Sequence, residues 1–191
     1  LPSTIRRTLG DSSVPASEAL PQEVFGPLPH EAQKLIFVFT DAFGWKLYEN
    51  FSDELPFLRR VANEGVVSKM TSMFPSTTAA HVTTIHTGLP VRQSGIYEWY
   101  YYEPKVDAVI APLLFSFAGD PQRETLKQAG IDPGIIFPHE TLYRSLQHIG
   151  IPSWIFQNEK YTPSPFSDVT FQGATIVRYK SEELGIKALA E

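Results

Sequence analysis

Leu35-Ile36-Phe37-Val38-Phe39-Thr40-Asp41-Ala42-Phe43-Gly44 is the stretch on which the fold turns. Its first five residues are apolar without a break and mostly β-branched or aromatic. A strand with one wet face would alternate; an unbroken run fits a strand buried on both faces, as in a parallel sheet covered by helices. The run ends in polar, turn-forming residues, and in open parallel α/β sheets ligands bind beyond the carboxyl ends of the strands. Asp41 stands at that point. A carboxylate on a rigid element there can be a hard ligand for a metal ion. It can equally cap the next helix by accepting backbone N–H bonds. Position alone leaves both readings open.

Downstream, Leu55, Leu58, Val61 and Ala62 fall near helical spacing, with Arg59, Arg60 and Glu64 outward and Gly65 as the stop. Val66 to Phe74 reads as a second strand. Pro75-Ser76-Thr77-Thr78 then opens a helix that Gly88 and Pro90 close. The order strand, helix, strand, helix predicts crossovers and a parallel sheet in an α/β domain over 35–191. From Tyr97 to Lys127 the chain is aromatic and broken by proline; we take about 97–135 as a lid-like insertion outside the sheet rhythm. The rhythm resumes with a helix around His139 to His148, a strand at Trp154 to Gln157, a short strand at Thr175 to Tyr179 and a helical tail from Ser181. Upstream, residues 1–34 hold five prolines and no sustained period, which predicts an extended N-terminal arm.

Composition excludes several classes of function. With no cysteine among 191 residues, disulfide scaffolds, thiolate zinc sites and cysteine nucleophiles are ruled out, and the redox compartment cannot be read. A net charge of −5 argues against binding a nucleic-acid duplex, whose phosphates call for clustered Lys and Arg. It does not exclude a small anionic substrate, because a bound metal reverses the local field. No apolar stretch approaches the ~18 residues of a membrane helix; the longest, Val109 to Ala118, is interrupted by Pro112 and Ser116. No signal sequence is visible, so no membrane association is expected and the cytoplasm is the default compartment. The oligomeric state is not legible.

Chemistry concentrates in Phe74-Pro75-Ser76-Thr77-Thr78-Ala79-Ala80-His81-Val82-Thr83-Thr84-Ile85-His86-Thr87-Gly88-Leu89-Pro90. Hydroxyls at a helix start meet unpaired N–H groups and the positive dipole end, which together favour an anion. A threonine there can bind an anion, or act as a nucleophile if a metal lowers its pKa. Ser and Thr are also the commonest helix caps, and spacing alone favours that role. His81 and His86 are five apart and do not share a helix face. His139 and His148, nine apart, read as capping or surface groups. The aromatic run Trp99 to Tyr102 could stack a ring, although lid packing explains it as well. Neither a Walker loop nor Gly-x-Gly-x-x-Gly is present.

The apolar strand ending in Asp41, and the later Pro-hydroxyl helix ending in Thr87-Gly88-Leu89 and followed by Gly95-Ile96, resemble the alkaline phosphatase superfamily. The branch they look closest to is the type I phosphodiesterase and nucleotide pyrophosphatase family. The resemblance implies a three-layer α/β sandwich with a mostly parallel central sheet, of which this chain holds the N-terminal part, together with the aromatic lid. It implies two zinc ions, with Asp41 ligating one. Thr78 is implied as both metal ligand and nucleophile, the Ala79 backbone N–H and His81 as substrate-binding groups. The substrate would be a small phosphate ester or nucleotide. Three features depart from or limit the pattern: Ala79-Ala80-His81 replaces Phe-Pro-Asn, Ser94 replaces the histidine of His-Gly-Ile, and no sulfatase Cys/Ser-x-Pro-x-Arg motif occurs. No Asp-x-x-x-His or Asp-His follows Thr78, so the chain is expected to be a fragment that is inactive alone. A phosphomonoesterase or phosphonate hydrolase of the same superfamily, and a non-catalytic α/β binding module, are the competing readings.

Overall fold

A computed structural model of the chain describes residues 1–190. They divide into two compact units, one built on Ser3–Ser72 and the other beginning at Met73.

The first unit contains a helix where an extended arm was expected. α1 (Pro2–Thr8) starts on a proline, which is tolerated at a first helical position because its missing N–H would be unpaired anyway. Thr4, Ile5, Thr8, Asp11 and Val14 are buried. Asp11 organises them: Arg6 pairs with its carboxylate at 2.6 Å, and its other oxygen accepts the Ser13 hydroxyl at 2.6 Å and N–H at 3.0 Å. The Ser13 bond, with help from Arg6, holds the Asp11 carboxyl below the usual range. Two further helices, α2 (Trp45–Phe51) and α3 (Pro56–Glu64), bury no residue at all.

The two strands expected in this region do not form. Residues 35–39 and 66–74 pair with no other strand among the described residues. Ile36 and Val38 of the first run are 68% and 75% exposed. The reason is physical: β-propensity expresses a fit to neighbouring strands, and no strand of this unit offers these runs an edge.

The second unit opens with α4 (Thr78–Thr87) and the single turn α5 (Val91–Ser94). The aromatic segment next folds into an antiparallel three-stranded sheet of β1 (Tyr101–Glu103), β2 (Ala108–Ala111) and β3 (Ser116–Phe117), with Tyr101 opposite Ile110 and Ile110 opposite Phe117. Two single turns follow, α6 (Thr125–Gln128) and α7 (Pro133–Ile136). α8 (Leu142–His148) starts later than expected because the Thr141 hydroxyl caps it, accepting the Arg144 N–H. β4 (Trp154–Asn158), α9 (Pro165–Thr170) and β5 (Thr175–Tyr179) make a parallel crossover unit, Trp154 facing Thr175 and Asn158 facing Tyr179. α10 (Glu182–Ala190) packs on both strands. Gly185 permits that approach, since a Cβ there would lie 2.9 Å from the Tyr179 ring.

The chain is therefore α/β, with its parallel order carried by two strands rather than by a sheet beginning at Leu35. The core of this unit runs through Ile96, Ile110, Phe115, Leu126 and Phe137. An edge-to-face contact of Phe137 with Phe166 at 5.2 Å joins it to α9. No helix among the described residues is long and apolar enough to cross a membrane.

Candidate functional site

Asp41 lies in the first unit, in a turn that leaves the apolar run. Its Oδ1 accepts the N–H of Ala42 at 2.9 Å. Ala42 sits at φ 60°, in the left-handed region, where a residue bearing a Cβ is strained by roughly 1–2 kcal/mol. α2 begins only at Trp45, behind Gly44, so Asp41 stands three residues before the cap position and is not the capping residue.

The remaining candidates stand together on the first turn of α4 in the second unit. Thr77 is the cap: its hydroxyl oxygen accepts the Ala80 N–H at 3.2 Å and donates to the Tyr97 carbonyl at 2.9 Å. Thr78 is the first helical residue. Ala79 follows, and a backbone N–H at the second helical position has no partner within its own helix. His81 is one turn on, with its Nε2 accepting the Met73 N–H at 3.2 Å. The cap reading thus falls to Thr77, leaving Thr78 beside it at the positive end of a ten-residue helix.

The far side of α4 is built for close packing. Ala79, Ala80, Thr83 and Thr87 are buried, small residues that let the helix approach α8 and α9. The Thr87 hydroxyl donates to the Thr83 carbonyl at 2.7 Å, and Gly88 ends the helix at φ 79°. His86 is enclosed by rings, 4.5 Å from Phe171 and 5.8 Å from Tyr143 between centroids. Its Nδ1 shares a 2.5 Å hydrogen bond with the Tyr143 hydroxyl. Burial lowers the His86 imidazole to about 4 and pushes the Tyr143 phenol up.

The other sequence candidates resolve into structure. Ser94, at the family's histidine position, accepts the Ile96 N–H at 3.3 Å and shapes a turn. His148 bonds the Arg144 carbonyl through Nδ1 at 2.7 Å. His139 lies against Gly134, where a Cβ would come within 2.7 Å of its ring. Trp99, Tyr100 and Tyr102 are exposed, Tyr102 donating to Asp107, while Tyr97 stacks on Tyr101 at 4.7 Å. Three contacts around the site carried no sequence signal that we read: the Met73 amide on His81, the Tyr97 carbonyl on Thr77 and the Tyr143 hydroxyl on His86. Two of the three use backbone atoms, which every residue supplies alike.

Among the described residues no three His, Cys, Asp or Glu side chains converge as a metal site. Asp41 and Thr78 supply oxygen donors suited to a divalent ion, but these residues alone do not make a coordination sphere. A family model described as type I phosphodiesterase / nucleotide pyrophosphatase matches residues 35–172. No curated protein and no solved structure gives a significant match.

Proposed function

The chain belongs to the type I phosphodiesterase / nucleotide pyrophosphatase family, and from that premise we propose that it carries the nucleophile-bearing part of a phosphate-ester hydrolase, acting on phosphodiester or nucleotide pyrophosphate bonds. The observation that carries the reading is the start of α4. Thr77 takes the cap, and Thr78 follows it as the first helical residue, which places a second hydroxyl at the positive end of the helix.

In this reading the Thr78 oxygen attacks phosphorus in line. An Oγ–P bond forms, the bond to the leaving alkoxide or phosphate breaks, and the leaving group takes up a proton. Water then hydrolyses the phospho-threonine. The Ala79 N–H and the His81 ring donate to the phosphoryl oxygens, where charge builds in the transition state. Asp41 and Thr78 would each hold zinc through a side-chain oxygen, and zinc would supply Lewis acidity and a lowered hydroxyl pKa. No group of three or more His, Cys, Asp or Glu ligands converges among the described residues, and residues 1–191 alone are expected to turn over esters slowly or not at all. The parallel β4–β5 pair is read as part of the family's three-layer sandwich, and the strained Ala42 turn is the local support for a functional Asp41.

Thr78→Ala in the active enzyme is expected to abolish hydrolysis of bis(p-nitrophenyl) phosphate with an unchanged circular dichroism spectrum; retained turnover would remove Thr78 as nucleophile. Asp41→Asn is expected to lower bound zinc, measured by metal analysis, and an unaltered stoichiometry would remove Asp41 from the ligand set. Comparing mono- and diester substrates separates a diesterase from a monoesterase of the same superfamily.

A further inference from the structure

The segment that delivers the chain to Thr78 has little side-chain packing to hold it. Phe74 is 92% exposed and Ser76 is exposed as well. Hydrogen bonds at its two ends do the holding. At the far end the Thr77 hydroxyl donates to the Tyr97 carbonyl. At the near end the Met73 N–H donates to His81 Nε2 at 3.2 Å. His81 is itself fixed on the helix, its own N–H bonded to the Thr77 carbonyl at 3.0 Å.

The Met73 bond settles the state of the ring. A neutral imidazole has one N–H and one acceptor nitrogen. With Nε2 accepting from an amide, the ring proton sits on Nδ1. The two nitrogens of His81 therefore have different work.

We propose that His81 is a positioning residue for Thr78: its Nε2 anchors Met73 and so fixes residues 73–77 ahead of the nucleophile, while the Nδ1–H that this anchoring enforces is the donor offered to a phosphoryl oxygen. The anchoring half stands on the geometry alone; the donor half rests on the proposed hydrolase reading. A single ring thereby couples the path of the chain before Thr78 to the direction of a substrate contact. An arginine or lysine at position 81 offers no acceptor for the Met73 N–H.

Two amide side chains separate the roles. Glutamine carries its amide about as far from the backbone as Nε2, and asparagine about as far as Nδ1. In the 15N-labelled chain, two-bond correlations of the imidazole are expected to report the Nδ1–H tautomer. Exchange of the Met73 amide is expected to be slow in the wild type and in His81→Gln. It should be faster by roughly three- to tenfold in His81→Asn and His81→Ala, the effect of losing one neutral hydrogen bond. In the active enzyme His81→Asn should keep KM and lose kcat, and His81→Gln should raise KM. An Nε2–H tautomer, or equal Met73 exchange in wild type and His81→Ala, would overturn the anchor. If exchange behaves as expected while neither kcat nor KM moves in any His81 variant, the anchor stands and the donor role is overturned. The wild-type tautomer measurement decides the case even if a variant fails to fold.

Discussion

His86 is the residue whose chemistry is most constrained by its surroundings. Three aromatic side chains, Tyr143, Phe166 and Phe171, surround it, and the Tyr143 hydroxyl is its hydrogen-bond partner among the described residues. Its pKa falls from 6.5 to about 4 through burial. The linkage sign follows: the unfolded ring binds a proton near 6.5 and the folded ring only near 4. The stability that a neutral His86 contributes is complete above pH 6.5 and is lost as pH falls from 6.5 towards 4. The full loss is on the order of 3 kcal/mol. Carboxylates titrate near the lower end of that window, so the comparison to make is with His86→Leu. Urea midpoints measured between pH 7 and pH 5 are expected to fall for the wild type and to stay nearly level for His86→Leu. Equal slopes in the two proteins would show that this ring is not protected from protonation. The same residue marks a limit of sequence reading. Five-residue spacing from His81 correctly argued against a shared helix face, yet nothing local identified Tyr143, 57 positions away, as the partner.

At the scale of elements, the sharpest constraint is the corner between α9 and β5. Gly173 has φ 97°, and a Cβ there would lie 2.6 Å from the Arg144 nitrogen and 2.8 Å from the Tyr143 carbonyl carbon. Backbone cannot yield as a flexible side chain does. The Thr141 hydroxyl fastens the same corner by donating to the Gln172 carbonyl at 2.5 Å while it caps α8. Gly173→Ala combines a left-handed backbone with a clash and is expected to cost about 2–4 kcal/mol, read as a lower midpoint in urea; a midpoint within error of wild type would mean that the corner is looser than its geometry. Elements such as α4 were legible because their chemistry is local: hydroxyls open the helix and Gly88 closes it. β4 and β5 were legible because a short apolar run there meets a partner within its own unit. The runs at 35–39 and 66–74 were misread because a buried strand is a property of its neighbours, and unbroken hydrophobicity reports only the demand for them. α1 was missed because proline was weighed as a breaker when Pro2 occupies the one turn that accepts it.

Across the whole molecule, burial is unevenly shared. α4 packs on α8 and α9 and buries Ala79, Ala80, Thr83 and Thr87, and α9 alone has five buried residues. α2 and α3 bury none, and Leu35 through Phe39 all lie at least 37% exposed. Local opening free energy follows buried apolar contact, so a segment without it opens at little cost while a packed one opens only with its core. Residues 35–72 therefore lie within a stretch, 15–72, that has no buried residue and is little protected by its own packing, although the same stretch carries Asp41. Limited proteolysis at neutral pH is expected to cut first within 35–72, for which Lys46, Arg59, Arg60 and Lys69 provide tryptic sites. A fragment beginning near Lys69 or Met70 and retaining α4 to β5 is expected to accumulate, identified by intact mass. First cuts at Arg144 or Lys160 would place the weak point in the second unit. A metal ion that bound Asp41 would order this poorly packed segment, because whatever binds only the ordered state stabilises it by mass action. If Asp41 ligates zinc in the active enzyme, zinc should slow tryptic cleavage at Lys46 there while leaving cleavage at Lys160 unchanged. Equal protection at both sites, or at neither, would separate Asp41 from the metal.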